Sequence, residues 1–212
     1  MAYHCILKDS RMKIISAIIL LLMFLACSSN EPSTPQKITE GEKYFPMAEG
    51  DTWFFTTSGF TIIKRIISGD TTINGIVCKR VVDEGRTTEA WTLDSEGFKT
   101  LLLERIYSFD PPLVIPFNLE KGKPFKYKTT VYFTQGGIPY TADDSGNIEF
   151  EGCVTWQVKA NTFNNVIKLH YTPANDSAYD EYYAEGVGLL DNGYYFLDSA
   201  QIGGVWYGRD SI

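Results

Sequence analysis

From residue 44 onward the chain alternates apolar and polar positions with a period of two, and no stretch of ten residues carries the apolar spacing of a helix. In Phe125-Lys126-Tyr127-Lys128-Thr129-Thr130-Val131-Tyr132-Phe133 the odd positions are apolar or Thr and most even ones are polar. In Cys153-Val154-Thr155-Trp156-Gln157-Val158-Lys159, Val154, Trp156 and Val158 point one way; in Val166–Tyr171, Ile167, Leu169 and Tyr171 share one face while Lys168 and His170 share the other. Successive side chains alternate across a strand, so each run predicts a half-buried antiparallel strand with one wetter face. Gly or Asx-Gly interrupts the runs at Ser68-Gly69-Asp70, Ile73-Asn74-Gly75, Glu96-Gly97, Gln135-Gly136-Gly137, Ser145-Gly146-Asn147 and Asn192-Gly193, which predicts turns there. The expected class is all-β.

Segments of the chain also match one another. Phe45-Pro46 through Gly50 to Trp53-Phe54-Phe55 corresponds, with one insertion, to Ile115-Pro116 through Gly122 to Phe125-Lys126-Tyr127. Gly69 through Gly75 into Cys78 and Val81 parallels Gly146 through Gly152 into Cys153 and Val158, and Ala90-Trp91 through Gly97 weakly parallels Tyr182-Tyr183 through Gly186. Two copies of one β-meander are expected, 44–104 and 114–200, bridged by Asp110-Pro111-Pro112-Leu113. Each half is small for its own core, so a single domain over 44–212 is expected, as one curved antiparallel sheet or unclosed β-barrel.

The amino terminus has a different pattern. Arg11 and Lys13 precede a mostly apolar run from Ile14 to Leu25, ending at Ala26-Cys27. The run is short of the ~20 residues of a membrane span and fits the ~7–15 of a secretory signal. Met12-Lys13 by itself opens a typical signal, so the true start is Met1 or Met12. Phe24-Leu25-Ala26-Cys27 resembles the lipobox of bacterial lipoproteins, apart from Phe24 where Leu is usual. That resemblance implies cleavage of residues 1–26, acylation of Cys27, and a protein anchored to the membrane by its lipid. Residues 27–43, rich in Ser, Pro and charge, are expected to be a flexible tether. Ser28 and Ser29 stand where an inner-membrane lipoprotein often has Asp, which favours the outer membrane.

The 212 residues carry a net charge of −7, and losing 1–26 removes three cations and one anion, deepening it to −9. Such a body repels nucleic acid and anionic headgroups, which excludes a general nucleic-acid partner. Cys78 and Cys153 are the cysteines left after Cys5 and Cys27. In an oxidising compartment they either form a disulfide, contributing ~4 kcal/mol through loop closure, or remain separate buried thiols. His170 is the sole histidine beyond the signal, so a multi-histidine metal site is excluded and a histidine-based catalytic arrangement has one candidate, which reads as an exposed strand residue. No cofactor is implied.

Tyr44-Phe45-Pro46-Met47 with Gly50, Trp53 and Phe55, Thr72-Ile73-Asn74-Gly75 with Cys78, and Tyr182-Tyr183-Ala184-Glu185-Gly186-Val187-Gly188-Leu189 together resemble a broad group of uncharacterised bacterial cell-envelope lipoproteins. The resemblance implies an envelope location and a curved sheet similar to the unclosed barrels of periplasmic lipoprotein carriers, without the helices that cover those barrels. It brings no catalytic residues.

Three chemistries compete. A concave apolar sheet face suits a hydrophobic ligand or a partner protein, with the chain itself monomeric. Trp53, Trp91, Trp156 and Trp206 would stack on sugars if exposed, although alternating aromatics more often form core. Asp176, Asp180 and Glu181 offer carboxylates for a cation or for hydrolysis, but acidic residues are abundant enough for such clusters to arise by chance. Asp143-Asp144-Ser145-Gly146-Asn147 departs from a calcium loop and is expected to be a polar turn, and Gly186-Val187-Gly188, lacking the third glycine of a dinucleotide loop, a bend between close strands.

Overall fold

The computed structural model of the protein describes residues 36–208. Each strand pairs antiparallel with the next: β1 (Thr52–Thr57), β2 (Ile62–Ile73), β3 (Ile76–Asp83), β4 (Arg86–Leu93), β5 (Gly97–Leu103), β6 (Tyr107–Pro116), β7 (Phe125–Gln135), β8 (Ile138–Val158), β9 (Asn161–Pro173), β10 (Tyr179–Ala184), β11 (Gly188–Asp191), β12 (Tyr195–Ile202) and β13 (Val205–Tyr207). β1 also pairs with β12, from Thr52↔Gln201 to Thr57↔Tyr195, so twelve strands close on themselves. The all-β expectation holds, and the unclosed barrel is corrected to a closed one. Register shifts interrupt seven of the strand pairings. Bulges bend and twist a strand, and these coil the meander until its ends meet.

The alternation read from the sequence sets which side faces inward. Ile167, Leu169 and Tyr171 are buried on β9, whereas Lys168 and His170 face outward. On β7 the odd positions from Phe125 to Phe133 are at least half-buried and Lys126 and Lys128 are exposed. Apolar-in and polar-out is the reverse of a membrane-spanning barrel. At β2–β3, Asn74 and Gly75 adopt φ of 51° and 78°, the two consecutive left-handed residues that a tight hairpin requires.

Two seams are thin. β6 and β7 pair only over Ser108–Asp110, where Thr129 Oγ1 also donates to Pro111 O at 2.5 Å, and β11 meets β12 only at Asp191↔Phe196. Below the first seam the strands splay, and residues 36–45 pack there. Ile38 N donates to Leu119 O and Gly186 N to Lys43 O, Ile38 and Tyr44 are buried, and Phe45 stacks on Phe98 at 4.4 Å. Residues 36–43, expected to be tether, are therefore part of the barrel, because Ile38, Gly41 and Tyr44 bury surface that a free tether would expose.

Other expectations also shift. Asp110–Leu113 lies within β6, and Asp143–Asn147 lies within β8. Of the three internal matches, the first precedes β1 and β7 and the third falls on β4 and β10, six strands apart in both cases. The middle match does not follow: Gly69 lies in β2 and Gly75 in the β2–β3 turn, whereas Gly146 and Gly152 both lie inside β8.

Candidate functional site

An eight-stranded barrel is just wide enough for side chains to fill its interior, and width grows with strand number. Twelve strands therefore need unusually large inward residues. Trp53 and Phe55 from β1, Trp91 from β4, Phe98 from β5, Tyr171 from β9 and Tyr183 from β10 supply them. The rings form a connected series: Tyr183 to Phe45 at 5.0 Å, Trp91 to Phe98 at 5.6 Å, and Trp53 to Trp91 at 5.9 Å. Trp53 is fixed by donating its indole N–H to Val187 O at 2.6 Å in the β10–β11 turn. Even so a cavity of about 150 Å³ remains inside the barrel. Tyr44, Phe45 and Pro46 line it where the chain enters, and Tyr179, 37% exposed, lines it as well.

Three charged side chains face this cavity. Arg65 Nη2 sits 2.7 Å from Glu89 Oε1, with the two side chains only 7% and 3% exposed. The contact is an ion pair without hydrogen-bond alignment, since Glu89 Oε1 has no hydrogen-bond partner. The Arg65 guanidinium lies 4.2 Å from the centre of the Tyr195 ring and 5.4 Å from that of Phe55, which fixes its plane. Burial pushes the Glu89 carboxyl up, against the pull of Arg65 and of the Trp91 indole N–H. Tyr195 donates to Glu104 Oε1 at 2.6 Å.

The third charge is Glu181. Its Oε2 accepts the Tyr183 hydroxyl at 2.7 Å, and the Tyr171 hydroxyl also bonds to it. Burial pushes its carboxyl up, the two tyrosines pull it back, and the charge of Glu89 raises it again. Burial likewise lifts both tyrosines well above the ordinary range. Among the described residues no cation pairs with Glu181. It is half-buried on β10, beside Leu169 of β9, and lines the cavity.

The residues singled out from the sequence scatter. Asp180 and Glu181 are adjacent on β10 and so point to opposite faces, which prevents them from acting as paired carboxylates. Asp180 sits outside with His170 Nδ1 at 2.7 Å and Lys168 Nζ at 2.9 Å. Desolvation works against it, but Lys168 and His170 hold it below the usual carboxylate range. Asp176 is exposed beyond β9. Cys78 and Cys153 are both free thiols, so no disulfide joins them: Cys78 is buried and donates to Thr71 O at 3.5 Å, and Cys153 is exposed on β8. Trp53 and Trp91 line the cavity, Trp156 packs on Tyr182 at 4.3 Å, and Trp206 stacks on Phe54. Cys27 lies outside the described residues. Arg65 and Glu89 were not anticipated, although both occupy the apolar phase of their strands, Arg65 between Ile63 and Ile67 and Glu89 two residues before Trp91.

Comparison with known protein families, with curated proteins and with solved structures finds no match for this chain.

Proposed function

We propose that the protein is a non-enzymatic binding protein of the bacterial envelope, anchored through lipid on Cys27, whose barrel lumen takes a small ligand with an apolar body. The observation that carries this reading is the cavity of about 150 Å³ among aromatic rings, lined in part by the exposed Tyr179. Protein interiors are normally close-packed, and apolar cavities of ~150 Å³ bind ligands the size of benzene. The space falls below the ~300–1,000 Å³ usual for drug-sized ligands, which argues against a whole acyl chain and for a single compact group.

Trp53 and Trp91 border the cavity, so occupancy should change intrinsic fluorescence and raise the melting temperature. A panel of small aromatic and tert-butyl compounds that leaves both unchanged, with Leu113→Trp, which would fill the space, behaving like wild type, would sink the lumen reading. For the anchor, intact mass of membrane-extracted protein should give a chain starting at Cys27 with acyl mass, absent in Cys27→Ala. An unmodified soluble chain would overturn the envelope assignment.

A second reading is favoured by the β7–β8 hairpin, where Phe133 and Tyr140 stack at 5.5 Å and Tyr107 lies 5.9 Å from Phe133. Tyr107, Tyr132 and Tyr140 are exposed. This ladder suits stacking on sugar rings, and a glycan array without hits would remove it.

A further inference from the structure

We propose that the lumenal ligand is an organic cation with a compact apolar head, of the trimethylammonium class, held by the aromatic walls and the Glu181 carboxylate. This rests on the lumen reading above and specifies its chemistry. The faces of aromatic rings attract cations, and cages of such rings are the usual receptor for quaternary ammonium groups. Here Trp53, Trp91, Phe55, Phe98, Tyr171 and Tyr183 surround one small space.

Charge points the same way. Of the charges facing the lumen among the described residues, Arg65 is neutralised by Glu89 at 2.7 Å and clamped over Tyr195, which leaves Glu181 without a counter-charge there. The tyrosine hydroxyls that orient its carboxylate carry no charge, so the ionised site is net negative by one. A neutral ligand leaves that charge uncompensated, and an anionic one is repelled. A cation supplies the missing partner without displacing either hydroxyl. Further carboxylates stand near lining tyrosines: burial raises the Tyr179 hydroxyl, the charges of Glu181, Asp144 and Asp176 add to it, and Glu104 accepts from Tyr195. The whole chain, at −7, adds to this field.

The groups facing Glu181 are Tyr171 from β9, Tyr179 and Tyr183 from β10 and, across the lumen, Glu89 from β4 with Arg65 from β2. All the tyrosines remain protonated up to high pH. Glu181 and Glu89 are the facing carboxyls that burial pushes up. A cation prefers their ionised forms, so its affinity should fall as pH drops, by up to about tenfold per pH unit once Glu181 is protonated.

The test is calorimetric titration of full-length protein with choline and with tert-butylethanol, the neutral isostere in which carbon replaces nitrogen. Choline should bind at least tenfold more tightly at pH 8, with that advantage shrinking as pH is lowered towards 5, and it should be lost across the range in Glu181→Gln, which keeps an acceptor for the tyrosines. Equal binding of the two probes would overturn the cation while leaving the lumen reading intact. Binding of neither would overturn both. The wild-type pH comparison stands even if the variant fails to fold.

Discussion

Removing either partner of the lumenal ion pair should cost far more than removing both. At 2.7 Å and an effective dielectric of about 20, the attraction between Arg65 and Glu89 is ~6 kcal/mol. Most of it is offset by desolvating two side chains that are 7% and 3% exposed. Arg65→Met therefore strands a carboxylate and Glu89→Gln strands a guanidinium, each costing ~3–5 kcal/mol. The Arg65 deletion also forfeits ~1–2 kcal/mol of ring contact with Tyr195, 4.2 Å away. Arg65→Met combined with Glu89→Leu leaves no charge and should fall within ~2 kcal/mol of wild type. The singles should differ in pH dependence. Burial already raises Glu89, and losing Arg65 takes away a pull in the other direction, so the stranded carboxyl can become neutral. The deficit of Arg65→Met should shrink from pH 8 to pH 5, because the protonated form needs no partner. Arginine has no such escape in Glu89→Gln. Urea unfolding of all four proteins at both pH values gives the full cycle. Single-variant deficits below ~1 kcal/mol would place the pair with ordinary surface ion pairs and refute the reasoning.

Three further outcomes follow. Gly97→Ala should cost ~2 kcal/mol or more and loosen β5 from β6, since a Cβ there would sit 2.2 Å from the Ile115 carbonyl oxygen; an unchanged urea midpoint would contradict the close approach. Under non-reducing conditions Cys153 should react with a thiol reagent in the native protein and Cys78 only on unfolding, because burial shields the latter; a protein with no titratable thiol in denaturant would restore the disulfide. Without ligand, the raised Glu181 carboxyl favours its neutral form on folding, so its stabilising effect is full below its ordinary value of 4.5 and is lost as pH rises through the folded value. Glu181→Gln should flatten that fall in melting temperature, and an identical pH profile in the two proteins would refute the placement.

The strands were legible wherever one face meets water, because water enforces the period of two: Phe125–Phe133 and Val166–Tyr171 behave as read. Turns at Asn74-Gly75, Gly136-Gly137 and Asn192-Gly193 were legible from residues that tolerate left-handed backbone. Ser145-Gly146-Asn147 misled because glycine has a second use. Gly146 lets two neighbouring strands approach, with a Cβ there 2.6 Å from Thr172 O. Closure was not legible, since curvature comes from register shifts that leave no mark in a single strand. The site was half-written: Glu181 was noticed as an acid, but its pairing with Tyr171 depends on the β9–β10 register. Ile38 and Gly41 looked like tether because the surface they cover belongs to strands far along the chain.

Asp51 accepts a hydrogen bond from Gly203 N at 2.9 Å, across a sequence separation of 152, beside the pairing of β1 with β12. The barrel's last joint thus waits for the carboxyl end of the chain to be made and delivered. Until β12 arrives, β1 pairs only with β2 and has its other side unsatisfied. A chain interrupted before β12 would present two bare edges and join its neighbours edge to edge, so an incomplete product would be recognised by its stickiness before any activity could be missed.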